Sequence, residues 1–171
     1  MRLPLEQVRA RAADLRCVFL DIDGVMTDGR LYLAPDGSEL KAVSVRDGLG
    51  IKLLMQAGVE VAVISGRPSP AMDQRLKSLG LRHVHLGAED KLPAYEAVQR
   101  ALGIGDVHCA HMGDDLPDLA LFERVALRLT VADAHDRVRD AAHWVSRFRG
   151  GEGAIREAAD LILAAREVSH S

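Results

Sequence analysis

The chain has 171 residues, 48% of them hydrophobic and 27% charged, with a formal net charge of -3. This length suits a single domain over 1–171 with its own core, and this balance excludes both a disordered chain and a basic face for nucleic acid. Cys17 and Cys109 are far apart in sequence, with no C-x-x-C pair, and read as reduced core thiols. Residues 1–16 carry charges where a signal peptide is apolar, and no later run is long enough to span a membrane. The expected location is therefore cytoplasmic, with no membrane partner.

In chain order, residues 4–15 read as a leading helix and 17–21 as the first strand. Residues 31–34 and 39–45 read as two strands joined by the turn-forming Pro35, Asp36 and Gly37, a β-hairpin. Beyond it, short apolar runs alternate with segments of helical period. Strands are expected at 60–65, 83–86, 107–112, 126–131 and 143–146, and helices at 48–57, 70–79, 92–102, 116–124 and 154–166. The alternation predicts an α/β class, a Rossmann-like parallel sheet flanked by helices, with the hairpin protruding from it. The tail after Val168 is short and polar.

The first strand runs directly into Asp21, Asp23, Gly24 and Asp28, and a later one into Gly113, Asp114, Asp115 and Asp118. Ligands of parallel α/β sheets bind at the carboxyl ends of strands, where these acids fall. Alone, either cluster could be a loop or a helix cap. Together they would repel unless a cation lay between them, and oxygen donors without a Cys/His cluster point to Mg²⁺ rather than Zn²⁺. His83, His85, His108 and His111 lie in or beside expected strands and read as core or edge residues without chemistry. Ser65, Gly66 and Arg67 follow another strand, and Lys91 precedes a helix, adding a hydroxyl, a loop amide and two cations suited to a phosphate.

In this order, Asp21-Ile22-Asp23-Gly24, Ser65, Lys91 and Gly113-Asp114-Asp115 with Asp118, the sequence resembles the haloacid dehalogenase superfamily of phosphohydrolases across essentially the whole chain. Within it, the runs 23–29, 45–48, 113–116, 131–135 and 150–157 resemble the branch that dephosphorylates an eight-carbon keto-sugar acid during lipopolysaccharide precursor synthesis. A Met at position 26 stands where leucine is common. The resemblance implies a phosphomonoesterase in which Asp21 is the nucleophile and Asp23 the general acid/base. It implies Mg²⁺ on the Asp21 and Asp114 carboxylates and the Asp23 backbone carbonyl. Ser65 and Lys91 would hold the phosphoryl oxygens, and Asp115 and Asp118 would support the ligands.

The resemblance also implies a substrate set of Asp23, Ser44, Val45, Arg46, Asp47, Gly48, Lys52, Arg67, Arg75 and Lys91, whose cations suit a phosphorylated sugar acid. A nine-carbon keto-sugar acid phosphate fits the same motifs. A non-catalytic receiver domain phosphorylated on Asp21 is the reading from a different class, and Asp23, an acid/base suited to turnover, argues against it. Neither the 28–65 stretch nor the 65–91 stretch has room for a cap domain over the site. With apolar Leu31, Leu33 and Leu40 on a hairpin too small to stand alone, this predicts a homotetramer in which neighbours roof each site.

Overall fold

The computed structural model describes residues 2–169; the last two residues of the polar tail lie outside them. In chain order the elements begin with α1 (Leu5–Ala13), β1 (Cys17–Leu20), β2 (Tyr32–Leu33), β3 (Glu39–Leu40), α2 (Val45–Gln56), β4 (Glu60–Ser65) and α3 (Pro70–Leu79). They continue with β5 (His83–Leu86), α4 (Leu92–Leu102), β6 (Cys109–Met112), α5 (Leu119–Phe122), β7 (Leu127–Thr130), α6 (Asp136–Ala141), β8 (Trp144–Val145) and α7 (Ala154–Ser169).

Six strands form one parallel sheet in the order β5-β4-β1-β6-β7-β8, and β2 pairs antiparallel with β3 outside it. The chain winds outward from β1 to one edge and then crosses back to fill the other, so the carboxyl end of β1 lies at the switch point where α/β sheets bind ligands. The expected α/β sheet and hairpin are both present.

Side-chain alternation explains why the strands read as continuous apolar runs. Val18, Leu20, Val61 and Val63 enter one buried cluster with Val8 of α1, Ile51 and Leu54 of α2, Leu76 of α3 and Ile155 of α7. Phe19, Ala62 and Ile64 point the other way, into a cluster with Ala94, Tyr95 and Val98 of α4. Each such aliphatic or aromatic side chain taken out of water contributes roughly 1.5–3 kcal/mol. That burial holds rigid the sheet edge from which the site projects.

Several boundaries differ from expectation. The strand expected over 39–45 stops at Leu40, and helix α2 begins at Val45 rather than Gly48, with Ser44 in extended backbone at its N-cap. Alternating Val43 and Val45 suggested a strand, but the helix starts at Val45 without a side-chain cap from Ser44, and the Asp47 carboxylate in its first turn bonds the Gly153 and Arg156 N–H groups instead. The helix expected over 116–124 is a 3-10 turn, Leu116–Asp118, followed by the single turn of α5. The start of the strand expected over 107–112 is another 3-10 turn, Asp106–His108. Helix α6, capped by His135, had no sequence expectation.

Candidate active site

The loop after β1 is built by its own residues. The N–H groups of Val25, Met26 and Thr27 all donate to the Ile22 carbonyl, and Thr27 Oγ1 accepts from the Gly24 and Gly29 amides. The resulting tight coil aims Asp21 and Asp23 into a cavity of about 530 Å³, which Ser65, Arg67, Lys91, Asp114 and Asp115 also line. Gly24 is required here on two counts. Its φ of +86° disfavours any side chain, and a Cβ would lie 1.9 Å from Asp114 Oδ2. The glycine is what lets the Asp114 carboxylate approach the Asp21 loop.

A second glycine pair supports that loop from behind. A Cβ on Gly150 would meet the Gly24 carbonyl oxygen at 1.8 Å, and Gly151 N–H donates to the Val25 carbonyl at 3.0 Å. The glycine-rich run at 150–153 thus packs against the Asp21 loop.

Beneath the cavity lies a charge network. Lys91 Nζ is 2.8 Å from Asp21 Oδ2 and 2.6 Å from Asp118 Oδ1, and its side chain is only 3% exposed. Asp118 Oδ2 accepts the backbone N–H groups of Asp114 and Asp115, so one buried carboxylate fixes both the lysine and the loop carrying Asp114. His111 completes the network, its Nε2 2.8 Å from Asp118 Oδ1 and its Nδ1 3.2 Å from the Phe19 carbonyl.

The electrostatics are those of a site with surplus negative charge. Burial, with the charges of Asp118, Asp21 and Asp115, pushes Asp114 up to about 8. Burial and Asp118 likewise raise Asp21, although Lys91 opposes them. For Asp118 burial also acts upward, but the bonds and charges of His111 and Lys91 outweigh it and hold the carboxyl well below the usual range. Asp21, Asp114 and Asp118 each offer an oxygen within 4.8 Å of the others. Asp118 gives both oxygens to protein donors, and Asp21 accepts from the Ile22 N–H on Oδ1 and pairs with Lys91 on Oδ2, so among the described residues Asp114 is the member of this trio whose carboxylate has no protein donor. An all-oxygen donor set with unrelieved repulsion fits a hard divalent ion such as Mg²⁺.

The structure brings Asp21, Asp23, Ser65, Arg67, Lys91 and Asp114 together at one cavity. The rest of the expected substrate set lies outside its lining. Val45 is 81% exposed at the start of α2, Arg46 and Lys52 lie exposed on the same helix, and Arg75 of α3 packs across Gly48. Asp47 is buried, and its two oxygens accept the N–H groups of Gly153 and Arg156 at the start of α7.

Two residues without an expected role enter the site. One is His111. The other is Lys41, whose Nζ sits 2.5 Å from Asp23 Oδ1. No local pattern marks either, although the alternation that turns His111 inward beside Phe19 could have suggested a buried polar partner.

An aspartate loop at the switch point, a buried lysine and a second acidic loop define a hydrolase of the haloacid dehalogenase type. In agreement, the family model described as haloacid dehalogenase-like hydrolase matches residues 84–156. The 3-deoxy-D-manno-octulosonate 8-phosphate phosphatase KdsC of Yersinia pestis is 43% identical over 95% of this chain and 87% of its own length. A crystal structure of the Yersinia pestis phosphatase has a TM-score of 0.93 at 42% identity, covering 95% of this chain and 88% of that one. The Moraxella catarrhalis phosphatase, solved with magnesium, phosphate and KDO, gives 0.93 at 36% identity, with 96% and 94% covered. The chain belongs to the 3-deoxy-D-manno-octulosonate 8-phosphate phosphatase family.

Proposed function

We propose that this protein hydrolyses 3-deoxy-D-manno-octulosonate 8-phosphate to the free sugar acid and phosphate, in lipopolysaccharide precursor synthesis. The observation that carries the reading is the Asp21 carboxylate, held at 2.8 Å by buried Lys91 on the floor of a cavity that Asp23 also lines. Asp21 attacks phosphorus and takes the phosphoryl group as an aspartyl phosphate, splitting one displacement into two. Asp23 protonates the departing sugar oxygen and then accepts a proton from the attacking water. Ser65 and Lys91 hold the phosphoryl oxygens, and Asp118 and His111 keep Lys91 in place.

The Asp21 and Asp114 carboxylates and the Asp23 backbone carbonyl would hold Mg²⁺, which would neutralise charge between the anionic nucleophile and the anionic ester. Arg67 at the cavity wall suits the substrate carboxylate. Ser44, Val45, Arg46, Asp47, Gly48, Lys52 and Arg75 stand outside this cavity, so any part they take in substrate binding is indirect or directed at a neighbour's site.

Assembly belongs to the same reading. Leu31, Leu33 and Leu40 on the hairpin are 44%, 70% and 65% exposed. A homotetramer in which hairpins pack together would bury them and shield each site from water. No helix among the described residues is long and apolar enough to cross a membrane, and we place the enzyme in the cytoplasm.

The test is a panel of phosphate esters assayed for phosphate release with Mg²⁺ and again with EDTA. The octulosonate ester is expected to surpass glucose 6-phosphate at least ten-fold in kcat/KM, and EDTA to stop both reactions. A flat profile, or full activity in EDTA, contradicts the reading.

A further inference from the structure

The hairpin does more than expose leucines. Lys41, one residue beyond β3, turns inward until its side chain is 2% exposed, and its Nζ bonds Asp23 Oδ1 at 2.5 Å and Glu39 Oε1 at 3.2 Å. Glu39 Oε2 in turn holds Arg67 Nη2 at 2.8 Å. Two residues past Lys41, Val43 bridges Thr27 of the Asp23 loop. The hairpin is therefore tied to the loop of the acid/base residue by one backbone bridge and one buried ion pair. A hairpin lysine is ordinarily solvated, and an ammonium withdrawn from water is tolerated only where fixed partners replace its hydration.

We propose that Lys41 is a positioning residue for Asp23, fixing which carboxyl oxygen serves the leaving group. The inference rests on the reading of Asp23 as acid/base. A carboxylic acid whose Oδ1 accepts from an ammonium carries its proton on Oδ2, and among the described residues no protein group bonds Oδ2. As the bond between phosphorus and the sugar oxygen breaks, the electron pair left on that oxygen takes the Oδ2 proton. In the second half-reaction water bonds to phosphorus, returns a proton to Oδ2 and releases the Asp21 carboxylate. Lys41 exchanges no proton in either step. It holds the rotamer and the hydrogen-bonding face of Asp23.

This role has a signature that a structural one lacks, because only a poor leaving group needs the proton. The value of kcat/KM reports the steps up to leaving-group departure, so it is measured for three esters. These are the octulosonate 8-phosphate, glucose 6-phosphate, which has no carboxylate, and p-nitrophenyl phosphate, whose phenolate departs unprotonated. General acid catalysis is worth typically 10²–10⁴-fold, and misplacing the acid forfeits part of that.

Lys41→Met is expected to lower kcat/KM roughly ten- to a hundred-fold for both sugar esters, and by less than about three-fold for the aryl ester. Lys41→Arg, which keeps a donor, is expected to recover most of the sugar-ester rate with an unchanged melting temperature. Equal losses on all three esters, or no loss on any, overturn the proposal. A loss confined to the octulosonate ester also overturns it, since Lys41 would then be binding the carboxylate. If wild-type enzyme cleaves glucose 6-phosphate but not the octulosonate ester, the substrate assignment falls and the two remaining esters decide the role of Lys41.

Discussion

His111 and Asp118 meet Nε2 to Oδ1 at 2.8 Å with side chains 0% and 1% exposed, and the same Asp118 oxygen takes the Lys91 ammonium. Since Lys91 also pairs with Asp21, a fully buried histidine still bears on the Asp21 carboxylate. Its other nitrogen faces the Phe19 carbonyl, so the ring also ties β6 to β1.

His111→Phe keeps the edge contact with Phe122 but leaves Asp118 one donor short. Removing one partner of a buried charged hydrogen bond costs on the order of 2 kcal/mol, so the melting temperature is expected to fall by about 4–8 °C. Turnover on alkyl and aryl esters is expected to fall together, about ten-fold, unlike the split expected of Lys41→Met. Thermal melts and two-ester kinetics check this, and unchanged turnover would show that Asp118 and Lys91 hold their places unaided.

Asp47 offers a separation of fold from chemistry. Its oxygens cap α7 at Gly153 and Arg156, where a carboxylate meets both free N–H groups and the positive end of the helix. Asp47→Ala is expected to cost about 2 kcal/mol of stability and to leave KM within two-fold. A stable variant with KM raised ten-fold would instead put Asp47 at the substrate.

The acid limb of the stability curve has an identifiable contributor. His143 Nδ1 accepts the Arg128 N–H at 3.2 Å, and burial, together with the Arg11 and Arg128 charges, pulls its pKa down to about 4. The unfolded chain, with a histidine near 6.5, binds the extra proton between those values. The stability contribution is therefore complete above about pH 6.5 and lost as pH falls toward 4. Because the ring is only partly buried, about 1–2 kcal/mol is the expected loss. His143→Asn keeps an acceptor that does not titrate, so its denaturation midpoint is expected to change less between pH 6.5 and 4.5. Parallel curves for the two proteins would remove His143 from the account.

Which of these residues the sequence revealed follows from how local their evidence is. Asp21, Ser65 and Asp114 each sit at or just past a strand end, and Lys91 at a helix start, so periodicity and composition locate them. The parallel sheet then brings them together. Lys41, Asp47 and His111 act through partners that the fold supplies from a distance. Asp23 is 18 positions from Lys41, and Gly153 is 106 from Asp47. A lysine on a hairpin reads as solvated and an acid beside an arginine as ligand-binding, until tertiary packing shows which backbone amide or carboxylate lies opposite. The short α6 escaped notice for another reason: six residues with one buried apolar side chain, Val138, carry almost no periodic signal.

The hairpin leucines give the assembly its own test. Leu33→Asp, placed on the 70% exposed position, is expected to dissociate the proposed tetramer and reduce turnover at least ten-fold. Light scattering of the wild-type protein beside the variant decides this, and a fully active wild-type monomer would contradict the shared roof.

The most direct measurement of the central claim is phosphate release from 3-deoxy-D-manno-octulosonate 8-phosphate by wild-type protein and by Asp21→Asn, both in Mg²⁺ buffer. The amide is nearly isosteric but a far poorer nucleophile. The wild type is expected to turn over and the variant to be slower by at least about 10³-fold, with a melting temperature showing that it remains folded. An Asp21→Asn protein that hydrolyses the ester at the wild-type rate would contradict the account.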